Sequence, residues 1–336
     1  MLLIYYGVRM GFARDSAVSS VVGTIMIIAV AIVAVATVLG WGLPYMQSVK
    51  EQSQVESVTT QLQHFNDLMK EVCREGRNAS TIARIAIKDG DLYLESEGER
   101  LVIFYSMDNS DNYDFDVSGL ENRKKGFKLD CTKNFKCTAQ ATWLDTGRTE
   151  TCTPDIGEEF RFHSVIEGMV RINLTNEDVG GKLVGRIWVF DLGDVRYELR
   201  GNGIYNVVME NGGIITANSP TDGYLQDVFY WKNDDVLALK VYQIKVSDSC
   251  ISGTATYRFV LKSNGTYLRE NRNETTYNLK IQVFGDFRDA WIDYFVSNLG
   301  FKENGDTIYL QDYKYNMPLT FSLTQSICDI SYGGIG

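Results

Sequence analysis

Residues 16–49 carry no charged side chain. Within this stretch, Val21 to Leu43 consists mostly of valine, isoleucine, alanine, leucine and methionine, and we call it the apolar segment. A helix of about 20 apolar residues is long enough to cross a bilayer. Because every backbone polar group must be paired inside hydrocarbon, such an isolated run is expected to be helical. The sequence therefore predicts an N-terminal transmembrane helix.

The charges that flank the apolar segment predict its orientation. Arg9 and Arg14 precede it, and positive charge next to a membrane span favours the cytoplasmic side. The N-terminus is then cytoplasmic and the rest of the chain lies outside. A cleaved secretory signal has an apolar region of about 7–15 residues. The run here is longer and leads directly into a polar helical pattern, which favours a helix that is retained.

A second helical pattern follows the apolar segment. Pro44 is expected to kink the helix, and Tyr45 to Arg74 continues it with polar residues until Gly76 ends it. Apolar residues recur in this part at alternating spacings of three and four: Val55, Val58, Leu62, Phe65, Met69 and Val72. Such a stripe either packs against the protein's own C-terminal part or against neighbouring subunits.

The stretch from Arg14 to Val35, R-D-S-A-V-S-S-V-V-G-T-I-M-I-I-A-V-A-I-V-A-V, resembles the N-terminus of archaeal type IV pilins and archaellin-related proteins. The resemblance implies a short charged leader that a prepilin peptidase removes before the apolar run. Carried over by position, Ala17 precedes the cut and Val18 becomes the first mature residue. Ser20 stands where the family often has proline. Asp15 and Ser16 separate Arg14 from Ala17, which departs from the family's pattern.

The same resemblance implies a division of the chain into a leader at 1–17, an assembly helix at 18–76 and an extracellular head at 77–336. Because residues 1–9 are apolar and aromatic, we expect translation to start at Met10. The implied partners are the membrane before assembly, the peptidase, and identical or related pilin subunits. The assembly contacts are assigned to Val21, Ile25, Ile28, Ile32, Val35 and Pro44.

The head shows a strand pattern with turn residues between short apolar runs. An α+β fold is predicted, in which the long hydrophobic helix precedes a mostly antiparallel, sandwich-like head. A helix is expected where Phe287, Trp291, Phe295 and Leu299 recur at every fourth position before Gly300. The predicted strands cover residues 82–87, 92–94, 101–105, 165–174, 183–190, 195–199, 236–246, 256–261, 277–284, 307–310 and 319–323. The polar span 108–159 is expected to be an elaborated surface region.

Six cysteines occur in the chain, and none belongs to a C-x-x-C pair, which argues against zinc and thioredoxin-like sites. An even number in an exported chain favours disulfides. The sequence leaves their connectivity open. Since Cys250 and Cys328 each follow a predicted strand in the C-terminal half, we expect them to form a pair.

Little in the sequence indicates enzymatic chemistry or nucleic-acid binding. The net charge of −10 opposes binding to phosphate backbones. The two histidines, His64 and His163, lie outside any catalytic motif, so neither a catalytic site nor a cofactor is expected. The carboxylate pairs Asp191/Asp194 and Glu158/Glu159 are attributed to the acidic composition.

One loop has part of a calcium-binding pattern. Asp114, Asp116 and Ser118 alternate as oxygen ligands before Gly119, but Lys125 stands where the bidentate glutamate belongs. A solvated acidic loop is the first interpretation of these residues, and weak calcium binding by Asp114, Asp116 and Ser118 is the alternative. N-glycosylation sequons occur at four positions, Asn78, Asn173, Asn264 and Asn273.

These observations together predict a structural subunit of an archaeal type IV pilus-like surface filament, used for adhesion or surface contact. The alternative is a membrane-anchored extracytoplasmic protein that does not polymerise, such as a minor pilin or a binding module. An anchored surface hydrolase is the third class.

Overall fold

The computed structural model describes residues 15–108, 113–201, 204–218, 223–226, 231–233, 236–270, 275–310 and 319–335. Most of the predicted leader, including Met10, lies outside the described residues. The chain divides into two compact units, Met1–Ser53 and Gln54–Gly336.

Helix α1 runs from Asp15 to Glu75 and supplies the described part of the first unit. It continues through Pro44, so the proline does not end the helix. The apolar segment exposes its side chains, with Ile27 at 72% and Val30 at 69% relative accessibility. The most apolar part of this helix is not buried against the rest of the described chain. By length and composition, α1 is able to cross a membrane.

The C-terminal part of α1 belongs to the second unit, and its apolar stripe is buried there. Leu62 and Met69 are fully buried, and the ring of Phe65 meets that of Phe259 edge to face with centroids 5.7 Å apart. Of the two alternatives for this stripe, packing against the protein's own C-terminal part is the one that the structure shows.

A 3₁₀ turn at Glu177–Val179 and helix α2 at Arg288–Leu299 interrupt the strands, and α2 falls where the four-residue spacing predicted a helix. The strands described are β1 Ser80–Ile87, β2 Asp91–Glu95, β3 Arg100–Ser106, β4 Phe115–Ser118, β5 Gly126–Cys131, β6 Cys137–Trp143, β7 Thr149–Cys152, β8 Phe160–Arg161, β9 Met169–Asn176, β10 Lys182–Asp191, β11 Asp194–Arg200, β12 Ile204–Glu210, β13 Gly213–Ala217, β14 Tyr224–Gln226, β15 Trp231–Asn233, β16 Val236–Lys245, β17 Ser249–Ser252, β18 Ala255–Glu270, β19 Thr275–Phe284, β20 Phe301–Asn304, β21 Thr307–Leu310 and β22 Leu319–Ile335.

The strands assemble into three sheets. The largest has 13 described strands, and its main path is β1-β18-β22-β19-β3-β10-β9-β6-β7. The second sheet has the order β14-β13-β12-β11-β2-β17, and the third has the order β4-β5-β8. Within the described part of the chain, β16 and β22 form the one parallel pair, and the other ladders are antiparallel. The predicted α+β class with a mostly antiparallel head is confirmed.

Among the described residues, three hydrophobic clusters form the core. The first joins the two larger sheets with α2, the second joins them with α1, and the third lies between β3, β10, β9, β6 and the small sheet. Strand β3 is buried along its whole length because it has neighbours on both edges and clusters on both faces. The span 108–159 contributes to the third cluster through Val117, Phe127 and Ala139, so it is more than a surface elaboration.

Candidate functional site

Three buried carboxylates meet where the second sheet approaches β3. Glu99 directly precedes β3, Asp194 begins β11 and Glu210 ends β12. The antiparallel register of β11 and β12 places Asp194 opposite Glu210. One oxygen from each side chain lies within 4.8 Å of the others, and the residues are only 2%, 3% and 0% exposed in chain order. We call these three residues the carboxylate cluster.

Hydrogen-bond donors reach two members of the cluster. Glu210 Oε1 accepts from Trp291 Nε1 at 2.7 Å, and Glu210 Oε2 accepts from the Glu99 backbone N–H at 3.0 Å. Glu99 Oε1 accepts from the Phe287 backbone N–H at 2.5 Å. The Oδ1 atom of Asp194 is buried without a hydrogen-bond partner in the described part of the chain.

Burial and the repulsion between neighbouring carboxylates destabilise the ionised forms of Glu210 and Asp194. Burial raises the pKa of Glu210 well above its ordinary value, and the charge of Glu99 adds to this. The pKa of Asp194 is also raised well above its ordinary value by burial, with further contributions from Glu95 and Glu99. Carboxylates so arranged must either hold protons or be balanced by a cation.

A cavity of about 240 Å³ borders the cluster through Glu99 and Asp194. Its charged lining is mixed, and acids predominate: Glu95, Glu97, Glu99, Glu121, Asp194 and Asp286 against Arg100, Arg123 and Arg196. Gly98 and Gly285 also line this cavity. A Cβ at Gly98 would fall 2.6 Å from the Leu192 carbonyl oxygen, so the chain here comes too close for a larger residue.

A neighbouring buried ion pair is already balanced. Arg100 Nε and Nη2 donate to the two oxygens of Asp191 at 2.7 and 3.0 Å. The guanidinium also donates to the carbonyls of Leu120 and Ile166, both at 2.9 Å. Asp191 therefore belongs to a complete ion-pair network, whereas Asp194, three residues along the chain, does not.

The residues of the predicted calcium loop form a different structure. Phe115–Ser118 is strand β4, which pairs with β5, so the backbone is extended and does not wrap around an ion. Lys280 Nζ lies 2.9 Å from an Asp114 oxygen and 2.7 Å from an Asp116 oxygen. The lysine ammonium pairs with both carboxylates and offsets part of their charge, and Ser118 is an exposed residue at the strand end.

The predicted Cys250–Cys328 pair is not formed. Cys250 is exposed on β17 of the second sheet, whereas Cys328 is buried in β22 of the largest sheet. All six cysteines are free thiols, and Cys328 Sγ donates to the backbone carbonyl of Asp329. The neighbouring Cys73 thiol of α1 raises the pKa of Cys328 above its ordinary value, and burial adds to the effect. The sequence failed here because strand order does not reveal which strand lies beside the helix.

The other predicted residues are placed as follows. Asn78 is exposed, Asn173 accepts a hydrogen bond from Arg186, Asn264 donates one to Asp329, and Asn273 lies outside the described residues. The predicted cleavage residues Ala17 and Val18 lie in α1. The predicted assembly residues also lie in α1, and the five apolar ones are exposed: Val21, Ile25, Ile28, Ile32 and Val35, with Pro44 beyond them.

Sequence reasoning missed Glu99 and Glu210 and attributed Asp194 to composition. A local signal exists for two of them, because Glu99 precedes the apolar run of β3 and Asp194 follows Gly193 at the start of β11. Their approach to Glu210 depends on pairing across the second sheet, which the sequence does not specify.

Comparison with known proteins gives one match. A family model described as a family of unknown function, DUF7289, matches residues 16–120. The matched range covers α1 and the chain through β4, and it contains Glu99 but neither Asp194 nor Glu210. No curated protein and no solved structure matches the chain.

Proposed function

We propose that this chain is a pilin-like subunit of a surface filament, stored in the membrane through α1 and carrying its head outside the cell. The observation that carries the proposal is the apolar segment, a helical stretch without charges whose large side chains are exposed from Val21 to Leu43. The proposed partners are other copies of the chain or related subunits. The proposal includes no catalytic role.

The exposed side chains of the apolar segment form a surface that is expected to contact lipid or another protein. Isolated exposed apolar residues are ordinary, but a contiguous patch marks a membrane or protein contact. In a bilayer, lipid covers the segment at no cost from buried charge. Outside the bilayer, identical helices bury the same surface, and each valine, leucine or isoleucine side chain contributes roughly 1.5–3 kcal/mol on full burial. Repetition of one heterologous contact builds a helical filament.

The family match supports the view that the apolar segment is part of the functional protein. The matched range begins at Ser16 and continues into the head. The region similar to DUF7289 therefore includes both the apolar segment and the first strands.

A protein that is anchored and never polymerises is the second candidate. Two exposed aromatic residues fit a membrane anchor, Trp41 at 82% and Tyr45 at 71% relative accessibility, at the C-terminal end of the apolar segment. Tryptophan and tyrosine are enriched where a helix leaves the hydrocarbon and enters the headgroup region. A stored subunit needs the same interface, so these residues are compatible with both candidates.

Shearing cells that express the full chain, followed by N-terminal sequencing of the sheared and membrane fractions, distinguishes the candidates. A filament subunit is expected in the sheared fraction with a first residue near Val18. A chain found only in the membrane fraction with the same first residue would instead be a non-polymerising anchor. A mature chain that begins near Leu43 or later would have lost the apolar segment, and both candidates would be wrong.

A further inference from the structure

We propose that the carboxylate cluster of Glu99, Asp194 and Glu210 binds one calcium ion. The cluster offers carboxylate oxygens as metal ligands, and one oxygen from each residue lies within 4.8 Å of the others. Calcium binds oxygen ligands at about 2.3–2.6 Å, so two ligands on one ion lie up to about 5 Å apart. The spacing therefore fits three ligands around a single ion.

The hydrogen bonds leave a coordination position open on the cluster. Trp291 and the backbone N–H groups of Glu99 and Phe287 direct donors at Glu210 and Glu99. Asp194, which is only 3% exposed, has an Oδ1 atom without a hydrogen-bond partner in the described chain. A buried carboxylate oxygen with no donor is costly, and a cation beside it removes that cost.

The arginines around the cavity pair with other carboxylates. Arg100 pairs with Asp191, as described above. Arg196 pairs with Glu95 at 2.5 Å, and its other terminal nitrogen lies 3.7 Å from Asp286. Arg123 lies 3.3 Å from Glu97. In the described part of the chain, the carboxylate cluster has no ion pair of its own, so a bound divalent cation would supply the missing positive charge.

The cavity provides the remaining requirements of a calcium site. Calcium takes about 6–8 oxygen ligands, so three side chains leave positions for water. Glu99 and Asp194 line the cavity of about 240 Å³, which gives an ion and its water ligands access. Magnesium keeps most of its water and usually uses one or two carboxylates, so three carboxylates favour calcium.

A calcium ion here would join elements that are distant in sequence. Glu99 leads into β3, Asp194 and Glu210 belong to β11 and β12, and Trp291 of α2 donates to Glu210. The ion would therefore cross-link the two larger sheets and α2, and its role would be structural.

Calcium binding is tested with the full chain in detergent micelles, by titration calorimetry with calcium chloride after treatment with a chelator. We expect one ion per chain, weaker binding of magnesium, and a thermal midpoint that rises by several degrees with saturating calcium. Terbium luminescence excited through tryptophan supplies a second readout, because the indole N–H of Trp291 contacts Glu210. An absence of stoichiometric calcium binding by the unmodified chain would overturn the proposal.

Two substitutions locate the site. Asp194→Asn keeps the side-chain shape and should weaken calcium binding at least about tenfold, since affinity follows the number of charged ligands. The matched control is Asp116→Asn. It alters an exposed carboxylate of the predicted calcium loop, in β4, and should leave calcium binding unchanged. Binding that is lost in Asp116→Asn and kept in Asp194→Asn would overturn the proposal. Glu99→Gln repeats the test if circular dichroism shows that Asp194→Asn is unfolded.

Discussion

At the scale of single residues, the buried carboxylates of Asp191 and Asp194 lie three residues apart, and among the described residues only the first is paired with an arginine. Asp191 receives two guanidinium donors from Arg100, and three residues later Asp194 has an oxygen without a donor. The sequence shows both acids in D-L-G-D but gives no indication of this difference, because the partner of Asp191 is 91 residues away. The surroundings of Asp191 and Asp194 depend on how the strands pair, which the acidic composition of the chain does not indicate.

Asp191→Ala should be strongly destabilising. Arg100 is only 2% exposed, so loss of its carboxylate leaves an uncompensated charge in the core. Removing one partner of a buried pair costs about 3–5 kcal/mol in the free energy of unfolding, as measured by denaturant titration. Lys182→Ala is the control, because the pair of Lys182 with Asp108 is solvent-exposed and its loss should change the free energy of unfolding far less. Equal losses in the two variants would contradict this interpretation of the Arg100–Asp191 network.

In the reduced protein, the thiol of Cys137 should react slowly with alkylating reagents. Burial raises the pKa of Cys137 to about 12, and the side chain is 7% exposed, whereas Cys250 is exposed. The thiolate is the reactive form, so at pH 8 only about one Cys137 in ten thousand is ionised. Alkylation with iodoacetamide, followed by peptide mass spectrometry, should label Cys250 long before Cys137. Labelling of both at similar rates only after denaturation is the expected control, and similar rates in the native protein would contradict the prediction.

At the scale of elements, periodicity predicted where helices and strands occur better than where they end. Strand β21 has the predicted bounds because Gly305 turns the chain just before it. The predicted strand at residues 256–261 ends before Asn264-Gly265, a pair that is common in hairpin turns. The register shifts between Ser263 and Gly265, so these residues form a bulge within a strand that continues to Glu270. A bulge and a turn use the same residues, and only the partner strand β22 distinguishes them.

The contact of α1 with β22 predicts a disulfide that differs from the Cys250–Cys328 pair. Cys73 and Cys328 are both buried, and their thiols lie close enough for each to shift the pKa of the other. Treatment with oxidised glutathione should join them, as each thiol loses a proton and two electrons pass to the glutathione disulfide, which leaves as two thiols. The cross-link should add roughly 2–5 kcal/mol to the free energy of unfolding, because it closes a long loop.

Peptide mapping without reduction identifies the bond between Cys73 and Cys328. Cys73→Ser should abolish the linked peptide, and Cys250→Ser should leave it intact. A linked peptide that contains Cys250 and Cys328 would instead support the pair expected from the sequence.

At the scale of the whole molecule, one chain combines a self-contained core with an apolar surface that the core does not use. The three hydrophobic clusters draw on residues from Val58 onward, while the apolar segment contributes to none of them. The sequence predicted this division because charge disappears from residue 16 and returns at Lys50. Changes in the apolar segment should therefore affect localisation and assembly without altering the stability of the head.

The double substitution of Ile27→Asp and Val30→Asp tests that separation. Both side chains are exposed, at 72% and 69%, and neither belongs to a core cluster, so the unfolding midpoint of the head should stay unchanged. Each aspartate at the centre of a membrane helix costs about 2.5–3.5 kcal/mol, so the chain should leave the membrane fraction, and filaments should disappear from the sheared fraction. The control Ile27→Val with Val30→Ile keeps the segment apolar and should preserve both. Filaments that persist in the aspartate variant would show that α1 is not the assembly element, and unchanged membrane retention would show that it is not the anchor either.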